Sequence, residues 1–217
     1  MNSLIKKVLI FNYSLLAIGL IVSYFFPEKK ERIEEPQIYV EEEIPIEEIY
    51  AKRILSLSSL DINEARYISS RVYFYSQKYN VDYNHCMVII NTESDFKYNA
   101  YNKNGKAYGL CQITKPCLEE FNKNNKTKYI LNDMLNIELN LEVGIWYISY
   151  LENHYKIQNN EDSYIAYNIG ITKFNKMNNY EKELLRNGIY PMNMYGFKKG
   201  EVYRPIKRYY AKLSNWS

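Results

Sequence analysis

From Val8 to Phe26 the sequence carries no charged residue, and Lys6 and Lys7 precede the run. A helix of that length rises roughly 28 Å, close to the hydrocarbon thickness of a bilayer. The stretch also lacks a small-residue cleavage site, since Ser23-Tyr24-Phe25-Phe26-Pro27 stands where a signal peptide would have one. No cysteine stands just after it, which argues against a lipid-attached form. The expectation is a single uncleaved transmembrane helix over residues 1–26. Lys29, Lys30 and Arg32 on its far side rival Lys6 and Lys7, so charge alone does not orient it. The short N-terminal tail favours a cytoplasmic N-terminus.

Cysteine and histidine are scarce: three and two in 217 residues. None of Cys86, Cys111 and Cys117 stands at zinc-ligand spacing with His85 or His154, so neither a structural metal nor a cofactor is expected. An odd set of thiols permits one disulfide outside the cytoplasm and leaves one free; spacing does not say which pair joins. Residue order would allow a cysteine peptidase built from Cys111 and His154, but no local motif supports one. A dense Lys/Arg run and any nucleic-acid motif are missing too, so no nucleic-acid partner is expected. Alanine and glycine are scarce while tyrosine and asparagine abound, a compositional habit without functional content.

What is present describes a packed globule, at 47% hydrophobic and 16% aromatic residues. Residues 27–49 hold nine glutamates against three basic residues, with Pro36 and Pro45 interrupting any helix. They read as an acidic, self-repelling, extended linker. Residues 50–217 form the remaining domain, with a net charge of +7 that suits an anionic polymer.

Asp61-Ile62-Asn63-Glu64 has the form of a capping box, followed by an apolar stripe at Ala65, Ile68, Val72, Tyr75 and Tyr79. A second helix is predicted over Val81 to Ser94, placing Cys86, Ile89, Ile90 and Glu93 on one face. A carboxyl that ends an apolar face stays protonated nearer to neutrality, as a general acid requires. Asn104-Gly105 predicts a tight hairpin that brings Gly109 to Gln112 beside Glu93. There Gly109 would allow close backbone approach to a ligand. The Gln112 amide could donate to and accept from a sugar. Further helices are predicted from Pro116 to Phe121, across Asn136 to Leu151, ending at Asn168, and over Pro205 to Leu213. Gly144, inside the second of these, is read as a close-packing point. Residues 186–202 read as irregular chain and a candidate cleft wall.

Three motifs follow in order: Glu93-Ser94-Asp95-Phe96, then Gly109-Leu110-Cys111-Gln112, then Ala166-Tyr167-Asn168-Ile169-Gly170. Together they resemble the catalytic domain of soluble-lytic-transglycosylase-type enzymes, related to goose-type lysozyme, over about residues 70–213. The family usually has methionine where this chain has Cys111. The resemblance implies a mainly α, lysozyme-like α+β domain with a small β-hairpin beside the catalytic helix. It implies Glu93 as the catalytic residue and Ser94, Gln112, Tyr167 and Asn168 as substrate-binding residues. It places the Tyr167 hydroxyl near the acid, bonded to the carboxyl or to a sugar.

The activity implied is lytic transglycosylation of peptidoglycan, with the domain on the outer side of the membrane. Glu93 would protonate the bond between N-acetylmuramic acid and N-acetylglucosamine, then act as base while a 1,6-anhydro sugar forms. The implied partners are peptidoglycan glycan strands, the membrane through the N-terminal helix, and an envelope or secretion machinery. Two alternatives stay open. A hydrolase on the same fold would need a positioned water and could use a second carboxylate, for which Asp133, Glu138 and Glu142 are candidates; the other alternative is a non-catalytic wall-binding module.

Overall fold

The computed structural model describes residues 44–104, 106–192 and 198–216. The expected anchor at 1–26 lies outside them; among the described residues no helix is long and apolar enough to cross a membrane. The described chain is mainly helical, with one small antiparallel sheet. Helix α1, Ile46–Leu57, opens directly behind Pro45 and buries Tyr50, Ala51 and Ile54. It therefore starts inside the segment that sequence assigns to the linker. Proline cannot continue a helix backwards but is well suited to begin one.

Helix α2, Ile62–Tyr79, starts on the expected capping box: Asp61 Oδ1 accepts from the Asn63 and Glu64 amides, and Glu64 Oε2 accepts from the Asp61 amide. Ala65, Ile68, Val72 and Tyr75 of its stripe are buried, and Tyr79 partly so. The chain leaves α2 through Asn80 in the left-handed region at φ 52°. Helix α3, Tyr83–Ser94, begins two residues later than predicted because Asp82 caps it, its carboxylate accepting from the His85 amide at 2.6 Å.

The apolar stripe read from sequence understates how deeply α3 is enclosed. Cys86, Met87, Val88, Ile89 and Ile90 are all buried, so no face of its middle meets water. Its end is abrupt: Asp95 and Phe96 have φ values of 50° and 60°. A phenylalanine in that region is strained. It is held there because its ring is fully buried and lies 5.8 Å from Trp216.

Strands β1, Tyr101–Asn102, and β2, Ala107–Tyr108, form the hairpin around Asn104, pairing Tyr101 with Tyr108 and Asn102 with Ala107. Helix α4, Lys115–Asn125, carries Pro116 in its first turn and runs four residues past the expected end. A 3₁₀ turn at Leu131–Leu135 leads into α5, Ile137–Ser149, which Asn136 caps and a π-helical turn, Tyr150–His154, prolongs. Helices α6, Asn160–Ile169, α7, Ile171–Lys176, α8, Asn179–Arg186, and α9, Arg204–Leu213, complete the domain. Between α8 and α9, Ile189 bridges Val202, and Tyr190 packs edge-on against Tyr203 with ring centroids 5.1 Å apart. Cys86, Cys111 and Cys117 are buried free thiols.

Candidate active site

Glu93 sits in the last turn of α3 and keeps a small solvent-exposed face, while its Oε1 is wholly covered and has no hydrogen-bond partner. Burial raises its pKa from 4.5 to about 7; the Tyr164 hydroxyl, the positive charge of Arg208 and the Asn168 amide pull the other way. Desolvation wins because it acts on the whole carboxylate, whereas the opposing groups are few and neutral apart from Arg208. A carboxyl poised near neutrality can hold a proton and later take one back.

Asn168 links this carboxyl to a cavity of about 300 Å³ whose walls include Gln112, Thr114, Cys117, Tyr147, Tyr167 and Asn168. Glu93 itself does not line the cavity. Three of the four residues expected to bind substrate therefore share one hollow, and α6 supplies two of them. Ser94 is turned away: it is 6% exposed and its hydroxyl donates to the Ile90 carbonyl oxygen at 3.2 Å.

The turn after β2 is rigid for reasons that differ from those expected. Gly109 has φ 72°, and a Cβ there would run into the Asn140 side chain and the Met134 carbonyl, not into open space for a ligand. Asn140, buried on α5, accepts from the Cys111 amide at 2.8 Å and donates to the carbonyls of Tyr108 and Met134. Gln112, at φ 49°, spends its amide NH₂ on the Gly109 and Ala100 carbonyls at 2.9 and 3.4 Å. Its side-chain oxygen remains as the group able to accept from a ligand.

The Tyr167 hydroxyl donates to the Cys111 carbonyl oxygen at 2.7 Å, so it braces the turn and is not bonded to the Glu93 carboxyl. Burial and the nearby Glu93 charge are among the causes that push both the Tyr167 hydroxyl and the Cys111 thiol upward, which keeps them neutral. Cys111 in turn packs against Gly144, where an added Cβ would collide with its sulfur. This is the close-packing role expected of that glycine, with Cys111 as the neighbour.

Sequence reasoning passed over Tyr164, Asn140 and Tyr203. Tyr164 stands one turn before Asn168 on α6, and that i, i+4 spacing was the available signal. Asn140 was legible as the one amide among the apolar residues of α5, since buried polar groups need partners. Tyr203, whose hydroxyl donates to Asn168 Oδ1 at 2.9 Å, left no local trace. That bond leaves the Asn168 NH₂ group to the carboxyl.

The three carboxylates named as candidates for a hydrolase are engaged elsewhere. Glu138 accepts from Arg71, Tyr67 and Tyr75, Glu142 from Lys78 and Tyr79, and the Asp133 carboxylate caps the Ile130 amide. Among the described residues no group of three or more His, Cys, Asp or Glu is gathered as a metal site.

The model of one protein family, the transglycosylase SLT domain, matches residues 71–189. That span includes Glu93, Gln112, Tyr164, Tyr167 and Asn168, and stops short of α9. No curated protein matches the chain.

Proposed function

This chain belongs to the transglycosylase SLT domain family, and from that premise we propose that it is a peptidoglycan lytic transglycosylase with Glu93 as its single acid and base. One observation carries the reading: a lone carboxyl, raised to about 7 by burial, stands beside Asn168, which lines a cavity of about 300 Å³. A conventional glycosidase pairs two carboxylates across the bond. Here Asp95 is held by Lys212 and Arg208, and Asp133, Glu138 and Glu142 serve caps and ion pairs. A single carboxyl suffices when the substrate supplies its own nucleophile.

In this reading the protonated Glu93 gives its proton to the oxygen linking N-acetylmuramic acid to N-acetylglucosamine, and the C1–O bond breaks. The C6 hydroxyl of the muramic sugar then closes onto C1, and the Glu93 carboxylate takes its proton. The 1,6-anhydro ring forms, no water is consumed, and the acid returns to its starting state. The substrate's N-acetyl group steadies the cationic centre. The Gln112 side-chain oxygen would accept from the sugar and the second N–H of the Asn168 amide would donate to it, while Tyr167 would act by bracing the turn that carries Gln112. Ser94 would act by fixing the end of α3 and not by touching the glycan.

The uncharged run Val8–Phe26 supports a membrane anchor at 1–26. An acidic linker would follow it, with the N-terminus cytoplasmic and the domain facing the wall, where an envelope or secretion machinery could engage it. The test is mass spectrometry of purified peptidoglycan digested by residues 43–217, the compact unit that retains α1. Anhydro-ended fragments, absent with Glu93→Gln, are the expected result. Reducing ends would make the enzyme a hydrolase. Retention on sedimented wall without cleavage would make it a binding module.

A further inference from the structure

The family match ends at residue 189, yet α9 lies beyond it and packs on both α3 and α6. Three of its side chains reach groups around the acid. Asp95, two places after Glu93, lies 2.7 Å from Lys212 and 3.5 Å from Arg208. Tyr209, 1% exposed, lies flat against Tyr164, with ring centroids 4.6 Å apart and planes 14° from parallel. Its hydroxyl is 3.0 Å from His85 Nδ1, and His85 belongs to α3, as Glu93 does.

His85 is buried, and burial lowers its pKa to about 3, so the imidazole is neutral. A neutral imidazole has one donor nitrogen and one acceptor. Nε2 lies 3.5 Å from Glu152 Oε1 and makes no hydrogen bond; in the tautomer that carries the proton on Nε2, facing this carboxylate, Nδ1 accepts from the Tyr209 hydroxyl. Stacking fixes the plane of the Tyr209 ring and the hydrogen bond fixes its rotation within that plane. Together they leave the ring one orientation.

We propose that Tyr209 is a positioning residue for the acid: stacked on Tyr164 and anchored to His85, it holds the Tyr164 ring against Glu93 and keeps water from the carboxyl. It meets neither substrate nor reacting atoms and acts through Tyr164. The proposal rests on the reading of Glu93 as the acid. Tyr164 and Tyr167 on α6, Cys111 in the turn after β2 and Arg208 on α9 face Glu93, and Asp95 follows it on its own element. The hydroxyls and the thiol of this set are pushed upward and stay neutral, which leaves Arg208 and Asp95 as its charged members. Substituting Tyr209 alters none of them, so a change in the titration of Glu93 would report packing and hydration.

The experiment follows the Glu93 carboxyl by ¹³C NMR in the full chain labelled at glutamate, with the resonance assigned by its loss in Glu93→Gln. The kcat and KM on peptidoglycan strands are recorded across pH alongside. Tyr209→Met fills the space without a flat face, while Tyr209→Phe keeps the face and drops the His85 bond. The methionine variant is expected to lower the Glu93 midpoint by about one pH unit as water reaches the carboxyl. The alkaline limb of kcat should move with it, with kcat down about tenfold and KM within about twofold. The phenylalanine variant should recover most of both.

A methionine variant with an unchanged midpoint and profile, altered only in its unfolding transition, would overturn the proposal. So would a phenylalanine variant that shifts as far as the methionine one. If Tyr209→Met does not fold, Tyr209→Leu, which is uncharged at every pH and too small to cover Tyr164, is judged by the same criteria. The titration needs no turnover, so failure of the wild type to cleave peptidoglycan would count against the catalytic reading while the NMR still decides the role of Tyr209.

Discussion

Replacing Glu93 by glutamine should abolish cleavage and, at mildly alkaline pH, make the domain more stable. Moving a carboxyl from 4.5 to about 7 costs its ionised form about 3 kcal/mol, at roughly 1.4 kcal/mol for each pH unit. The sign follows from proton counting. Between those two values the folded chain holds a proton that the unfolded chain has already released, so stability falls as pH rises. The group's contribution is complete below pH 4.5 and lost once pH passes about 7. Glutamine keeps the size of the side chain and its contacts with Tyr164 and Asn168 but never ionises. Because Glu93 keeps a small exposed face, water recovers part of the cost, and the expected gain is about 2–3 kcal/mol at about pH 8 and below about 1 kcal/mol at about pH 5. Urea unfolding of residues 43–217 at the two pH values, wild type against Glu93→Gln, measures the difference directly. Equal midpoints at both pH values, or a glutamine variant that is less stable at alkaline pH, would refute the claim that burial governs this carboxyl.

Gly144→Ala should destabilise the domain by about 2–3 kcal/mol, because the added methyl collides with the Cys111 sulfur in a packed interior; the double change with Cys111→Ala should recover part of the loss in the same urea assay. Tyr167→Phe leaves the buried Cys111 carbonyl without its donor, so unfolding should become easier by about 1–2 kcal/mol. Steady-state kinetics should show kcat falling more than KM rises, since the residue braces the turn without holding the sugar directly. Glu138→Gln should cost about 1–3 kcal/mol by weakening the bonds from Arg71, Tyr67 and Tyr75. Mass spectrometry should still find anhydro products; their replacement by reducing ends would reveal Glu138 as a second catalytic carboxylate.

Much of the fold was legible because it obeys rules that act within a few residues. Asp61 with Glu64 announced the start of α2, Asn104-Gly105 the hairpin, and Pro116 the start of α4. The start of α3 was misplaced by two residues because Asp82 caps it, and α4 outran its expected end. The enclosure of α3 on every side was underestimated, since a period of three and four reveals a buried stripe but not how many neighbours cover the remaining faces. Gly109 shows the same limit. Its need for a bare backbone was readable, whereas the Asn140 side chain that imposes the need stands 31 residues away.

For the site, the sequence alone determined which groups are available: one acid at the end of an apolar helix, a glutamine behind a hairpin, and a tyrosine–asparagine pair closing another helix. Only the tertiary structure decided their use. It gave Tyr164 to the acid and Tyr167 to the turn. It turned Ser94 back onto α3, spent half of the Gln112 amide on backbone carbonyls, and drew Tyr203, Arg208 and Tyr209 from the far end of the chain to the surroundings of Glu93. The physical reason is that composition and spacing specify what a side chain can donate, accept or bury. The partner that claims each capacity is set by how helices pack, at separations along the chain over which no local pattern is enforced.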